Sequence, residues 1–300
     1  MHRALVPREC PKNSSLANSL GKILNVMDSC YQTLQTCQRE RVSDGAIVPV
    51  LNGCDRAAKI LFIALPQLGD FDSLEYAWWL RREADRLRDH EIVLRAVGIA
   101  DRSSGEKFCD YTGFPAEALL IDPTADLHRK LGLYGGLTRS WPGLRSGQSA
   151  WLNSMLMCAG LGSPGTLAEV FRGYRGDRAA PQLIADDETI DTKFLPPMKG
   201  DFFALAGGRG FQRPFELATL RLRNMVEVLS HWNRYVPDAQ YMTQRGGTFL
   251  FDRAGTLLYE HRDRGILGFA ANMANPLTFL DQLEPPNLNP PQTATIGDPT

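Results

Sequence analysis

Leu16, Leu20, Leu24, Met27, Tyr31 and Leu34 recur every three or four positions. That spacing puts them on one face and predicts a helix over residues 14–40, opened by Ser14-Ser15. Cys30 and Cys37, a heptad apart beside the stripe, read as helix-packing residues. The period then changes. Residues 46–51 are a short strand candidate, a turn at Asn52-Gly53 follows, and residues 60–65 (ILFIAL) form an apolar run of strand length. Such a run is the mark of a strand buried on both faces. Beyond it the pattern predicts a helix over 73–89, a strand over 92–100, a short helix over 106–111, a strand over 118–121 and a helix over 124–131 stopped by Gly132. Strand and helix alternating from 46 to 132 means an α/β unit with partly parallel strands.

The alternation breaks near Leu137. Gly, Pro and Arg punctuate residues 138–182, and residues 184–200 are acidic and contain prolines. An amphipathic helix is predicted over 214–232, with Phe215, Leu222, Met225, Leu229 and Trp232 along one face. Residues 151–159 (WLNSMLMCA) are a soft apolar segment that packs on the α/β core, docks a partner or lies on a membrane surface, the first being favoured. After Gln244 a hairpin is predicted, 248–251 and 256–261, with Gly255 suited to the left-handed position of its loop. A last helix is expected over 269–283, and the Pro- and Asn-rich residues 284–300 read as a disordered tail. The chain therefore divides into a helical N-terminal extension (1–45), an α/β domain in two pieces (46–137 and 244–283), an α-rich insertion (138–243) and the tail. An insertion this long is expected to be an ordered subdomain.

Composition narrows the function classes. A net charge of −1 with 22% charged residues gives no broad basic field for nucleic acid. No run approaches the ~18 apolar residues of a membrane span, and residues 1–10 lack the apolar core of an export signal. The six cysteines include no C-x-x-C pair, and no histidine stands near them at zinc-ligand spacing. No metal or cofactor is expected. Free thiols in a reducing compartment, cytosolic or plastid-stroma-like, are the expectation.

The strand at 60–65 feeds through a turn into the next helix. A thiolate at such a helix start is favoured by the exposed N–H groups and the macrodipole. The turn here, Gly69-Asp-Phe-Asp-Ser-Leu-Glu75, holds no cysteine. Asp72 with Glu75 three residues on reads as a capping box that starts the helix. The element order resembles the thioredoxin fold, and the likeness narrows to a family. Residues 69–75 resemble the Gly-Cys-x-x-Cys-Arg-Glu turn of the peroxiredoxin-like branch of the alkyl hydroperoxide reductase/thiol-specific antioxidant (AhpC/TSA) superfamily. Phe108-Cys-Asp-Tyr-Thr-Gly-Phe114 with Leu119-Leu-Ile-Asp-Pro123, and Gln244-Arg-Gly-Gly-Thr-Phe249, resemble its later segments. The resemblance covers 46–137 and 244–283 and implies a thioredoxin-like mixed sheet flanked by helices, carrying here a large α-rich insertion.

The family's active-site turn maps onto Gly69, Asp70, Ser73 and Glu75, and both sulfur positions, Asp70 and Ser73, are non-thiols. Serine cannot form the sulfenic acid that peroxide reduction cycles through. Two readings follow. One is a redox-inactive member acting as a binding or regulatory module, with a protein or small anionic partner recruited through 138–243. The other is a thiol peroxidase or oxidoreductase using a displaced cysteine, with Cys109 as the candidate catalytic residue. Within the insertion, Arg172, Arg175, Arg178, Arg209 and Arg213 are candidate anion ligands. The last two precede the helix start at 214, where a glycine-rich turn can hold a phosphate or carboxylate. That turn lacks the Walker spacing of a nucleotide loop.

Overall fold

The computed structural model describes residues 30–192 and 195–283. Most of the predicted N-terminal helix, Cys10 and the predicted tail lie outside them. The strands are β1 (Gln38–Arg41), β2 (Ile47–Pro49), β3 (Lys59–Gln67), β4 (Ile92–Ile99), β5 (Leu119–Ile121), β6 (Thr189–Thr192), β7 (Leu195–Lys199), β8 (Gly247–Asp252) and β9 (Leu257–Arg262). The helices are α1 (Phe71–Arg82), α2 (Ala84–Asp89), α3 (Arg102–Thr112), α4 (Asp126–Lys130), α5 (Ser146–Cys158), α6 (Thr166–Arg175), α7 (Glu216–Ser230) and α8 (Trp232–Tyr235).

Seven strands form one sheet in the order β2-β1-β5-β4-β3-β8-β9. β3, β4 and β5 run parallel, and β1, β8 and β9 join antiparallel. The apolar run of β3 is buried on both sides because alternate residues serve different layers. Leu61, Ile63 and Leu65 pack with α1, α3 and α7, whereas Ile60, Phe62 and Ala64 pack with Leu34, Cys37 and α4. This mixed sheet covered by helices is the thioredoxin-like arrangement.

Two expectations are corrected, and one helix buries a face other than its apolar stripe. The N-terminal helix ends at Thr36, and Gln38–Arg41 is a strand paired with β2 and β5. The apolar stripe stops at Leu34, and the polar QRER that follows suits this lightly covered part of the sheet. The helix expected over 269–283 is only a 3-10 turn at Thr278–Gln282. Turns centred on Asn272 and Asn275 break the segment, while Phe269, Leu277 and Leu280 are buried as separate plugs in the core. In α7 the predicted apolar face is not the core face. Leu217, Leu220 and Val228 are buried, whereas Phe215 and Leu229 are more than half exposed.

The segment 138–243 is built from α5, α6, the β6–β7 hairpin, α7 and α8, and α7 packs across α1. Gly255 has φ +85°, as the hairpin loop requires. Among the described residues no helix is long and apolar enough to cross a membrane.

Candidate functional site at the carboxyl end of β3

β3 ends at Gln67, and the chain turns through Leu68 to Asp70 before α1 begins at Phe71. Asp70, not Asp72, is the N-cap: its Oδ1 accepts the Asp72 N–H at 3.0 Å. Ser73 is fully buried, and its hydroxyl donates to the Gln67 carbonyl at 2.9 Å. Gly69 is required by close approach, since a Cβ there would lie 2.7 Å from the Cβ of Tyr235. Residues from 138–243 therefore close directly over the turn.

Arg245, just ahead of β8, lies fully buried against the start of α1. Its guanidinium donates to Asp70 Oδ2 at 2.5 Å and Asp72 Oδ2 at 3.3 Å, and also to the carbonyls of Met242 and Thr243. Burial alone would favour loss of its proton, but the Asp70 and Asp72 carboxylates outweigh that and raise its pKa. Asp72 is buried too, and its Oδ1 accepts the N–H of Leu267, a residue at φ +57°. Burial pushes the Asp72 carboxyl well above the usual range, the neighbouring Asp70 adds to this, and Arg245 opposes it. Nearby Asp263 accepts the Gly246 N–H at 3.2 Å, and burial pushes it up to about 8.

Glu75 has a different job from the capping box expected of it. It is fully buried and takes Arg221 of α7 bidentately, at 2.7 and 3.0 Å. Arg221 continues to Glu169 of α6 at 2.6 Å, and Glu169 holds Arg172 at 2.8 and 2.7 Å. This chain of ion pairs ties α1 to α6 and α7. Arg172 is thereby saturated with carboxylates rather than open to an anion. Arg213, fully buried, is likewise held by Glu216 and Asp186, and Arg209 reaches Asp186 at 3.3 Å. Arg175 and Arg178 are exposed, and Arg178 lies over Phe211. The five arginines do not form one anion site.

A cavity of about 280 Å³ opens beside the turn, with Gln67, Gly69, Asp70 and Phe71 along its floor. α5 contributes Trp151, Ser154, Met155 and Cys158, and α7 contributes Met225, Val228 and Leu229. Met225 and Leu229 of the predicted apolar stripe, with Trp232 beyond the helix end, thus face this opening. Cys158, which no motif singles out, shares the cavity with Asp70. Burial pushes its thiol up to about 11, Asp70 adds to the rise and Arg245 opposes it. Cys109 sits on α3 away from that lining, and burial, with Asp110 and Glu117, pushes it up to about 12. Neither is a ready thiolate.

The chain matches the family described as AhpC/TSA antioxidant enzyme over residues 79–265, more than half its length. It belongs to that family. No curated protein matches the chain. The matched span of this AhpC/TSA member begins after the turn, so Gly69, Asp70, Ser73 and Glu75 lie outside it. It does run through 138–243, which the motif resemblance left uncovered.

Asp263 gives a pH-dependence that can be measured. Its folded-state pKa of about 8 stands above the ~3.9 of an unfolded aspartate. Its contribution to stability is therefore full in acid and is lost as pH rises toward 8. The slope from this group is at most about 1.4 kcal/mol per pH unit. Asp263→Asn is expected to flatten the urea-unfolding free energy between pH 5 and 8 relative to the parent. An unchanged slope would show that Asp263 does not hold its proton in the fold.

Proposed function

We propose that this AhpC/TSA member does no thiol chemistry at its turn and acts as a binding or regulatory module through 138–243. One observation carries the reading. Both positions where the family motif has sulfur are locked into structure, Asp70 by Arg245 and the Asp72 N–H, and Ser73 by the Gln67 carbonyl. The surface supports it: of fourteen exposed large hydrophobic residues among those described, twelve lie in 138–243. Apolar exposure concentrated in one segment marks an interaction surface more than random exposure does.

The displaced-cysteine reading finds better geometric support at Cys158, which lines the cavity beside Asp70, than at Cys109. Titration with hydrogen peroxide, with a sulfenic-acid trap read by intact mass, separates the two. The expected result is slow labelling spread over several thiols. Rapid stoichiometric labelling that disappears in Cys158→Ser or Cys109→Ser would establish a peroxidase instead.

A further inference from the structure

We propose that the cavity beside the turn holds a neutral, largely apolar molecule bearing one hydroxyl group, which donates to Asp70 and accepts from Ser154. This deepens the binding reading above and rests on it. The position is one that open α/β sheets use for ligands, outside the carboxyl end of a strand. The walls are aromatic and thioether side chains, among them Trp151, Met155, Met225 and Trp232. Trp151 and Leu229 are half or more exposed, so the cavity opens to solvent along its rim.

The polar groups set the chemistry. Ser154 is 7% exposed, and its hydroxyl has no hydrogen-bond partner among the described residues. Ser154 lines the cavity, so its unmatched hydroxyl is open to a polar group that a ligand supplies. Asp70 offers about four acceptor sites, of which the Asp72 N–H and Arg245 occupy one each. No Lys, Arg or His lines the cavity, so a buried anion would have no partner there. A cation would compete for Asp70 with Arg245, which is itself held by four acceptor groups. A hydroxyl both donates and accepts, and it meets Asp70 and Ser154 without bringing charge.

Matched naphthalene probes test this on the full chain by calorimetry at neutral pH: 2-naphthol, 2-methylnaphthalene, 2-naphthoate and 2-naphthylmethylammonium. Occupancy of the site is read by protection of Cys158 from N-ethylmaleimide in peptide mass spectra, with Cys109 as the internal control. Naphthol is expected to bind about tenfold more tightly than methylnaphthalene, the worth of one well-placed hydrogen bond, and both charged probes more weakly than either. Bound naphthol is expected to slow labelling of Cys158 and leave Cys109 unchanged. Ser154→Ala is expected to erase most of the naphthol advantage without moving the melting temperature. Either charged probe binding as tightly as naphthol, or unprotected Cys158 with naphthol bound, would overturn the assignment. Failure of all four probes together with slow peroxide labelling would sink this inference alone. Rapid single-site peroxide labelling would instead sink the reading beneath it.

Discussion

Arg245→Met is expected to destabilise the protein by about 3–5 kcal/mol, the range for breaking a buried ion pair from one side. The guanidinium is fully buried and contacts two carboxylates and two backbone carbonyls. Methionine fills much of the volume but leaves Asp70, Asp72 and both carbonyls without their donor. The loss should be pH-dependent in a definite direction. Arg245 is the main influence lowering the carboxyls of Asp72 and Asp263 against their burial. Without it both rise further above their unfolded values. Stability is then kept in acid and lost over a wider range as pH increases, so the penalty grows from pH 5 to pH 8. Urea unfolding of the two proteins at both pH values measures it. A penalty below about 1 kcal/mol, or one that shrinks with pH, would mean that the cluster is hydrated and the pairs contribute little. Adding Asp70→Asn and Asp72→Asn to Arg245→Met should recover part of the loss, because the stranded charges go with the guanidinium.

The alternation of strand and helix, the doubly buried β3 and the Gly255 hairpin were all legible in the sequence, because each rests on local periodicity or a local backbone requirement. What failed depends on distant residues. Asp72 and Glu75 have the spacing of a capping box, yet each points at a guanidinium from far along the chain, Arg245 and Arg221 respectively. No local rule separates a capping carboxylate from one that anchors another segment. Arg245 did carry a signal, since a charged residue directly before a buried strand must find a partner inside. The α7 stripe is legible as apolar from its period, but what lies against it is not. Met225, Leu229 and Trp232 line an opening, whereas the helix buries Leu217 and Leu220 in the core. Periodicity locates an apolar face but does not say whether protein or cavity lies against it.

Asp70→Cys is expected to create a thiol that reacts with N-ethylmaleimide at neutral pH at least about a hundredfold faster than Cys158. The frame for such a thiol is present. Position 70 caps the twelve-residue helix α1, where exposed N–H groups and the macrodipole favour an anion. Arg245 points at that position and would lose only one of its two carboxylate partners. Asp72 and Asp263 stand close, but burial pushes both carboxyls up, so they oppose a thiolate less than two full charges would. Cys158 has the reverse balance, with burial dominating and its thiol neutral at about 11. The substitution removes a capping carboxylate and a buried charge pair, so a stability loss of about 1–3 kcal/mol should accompany the gain in reactivity. The rate, its pH midpoint and the labelled peptide together decide the matter. A midpoint below ~8.5, the ordinary cysteine value, means that the scaffold still favours a reactive sulfur and that the residue at position 70 alone withholds it. A rate no faster than that of Cys158 means that closure of 138–243 over the turn has buried the position beyond use. Restoring sulfur would not restore chemistry in that case.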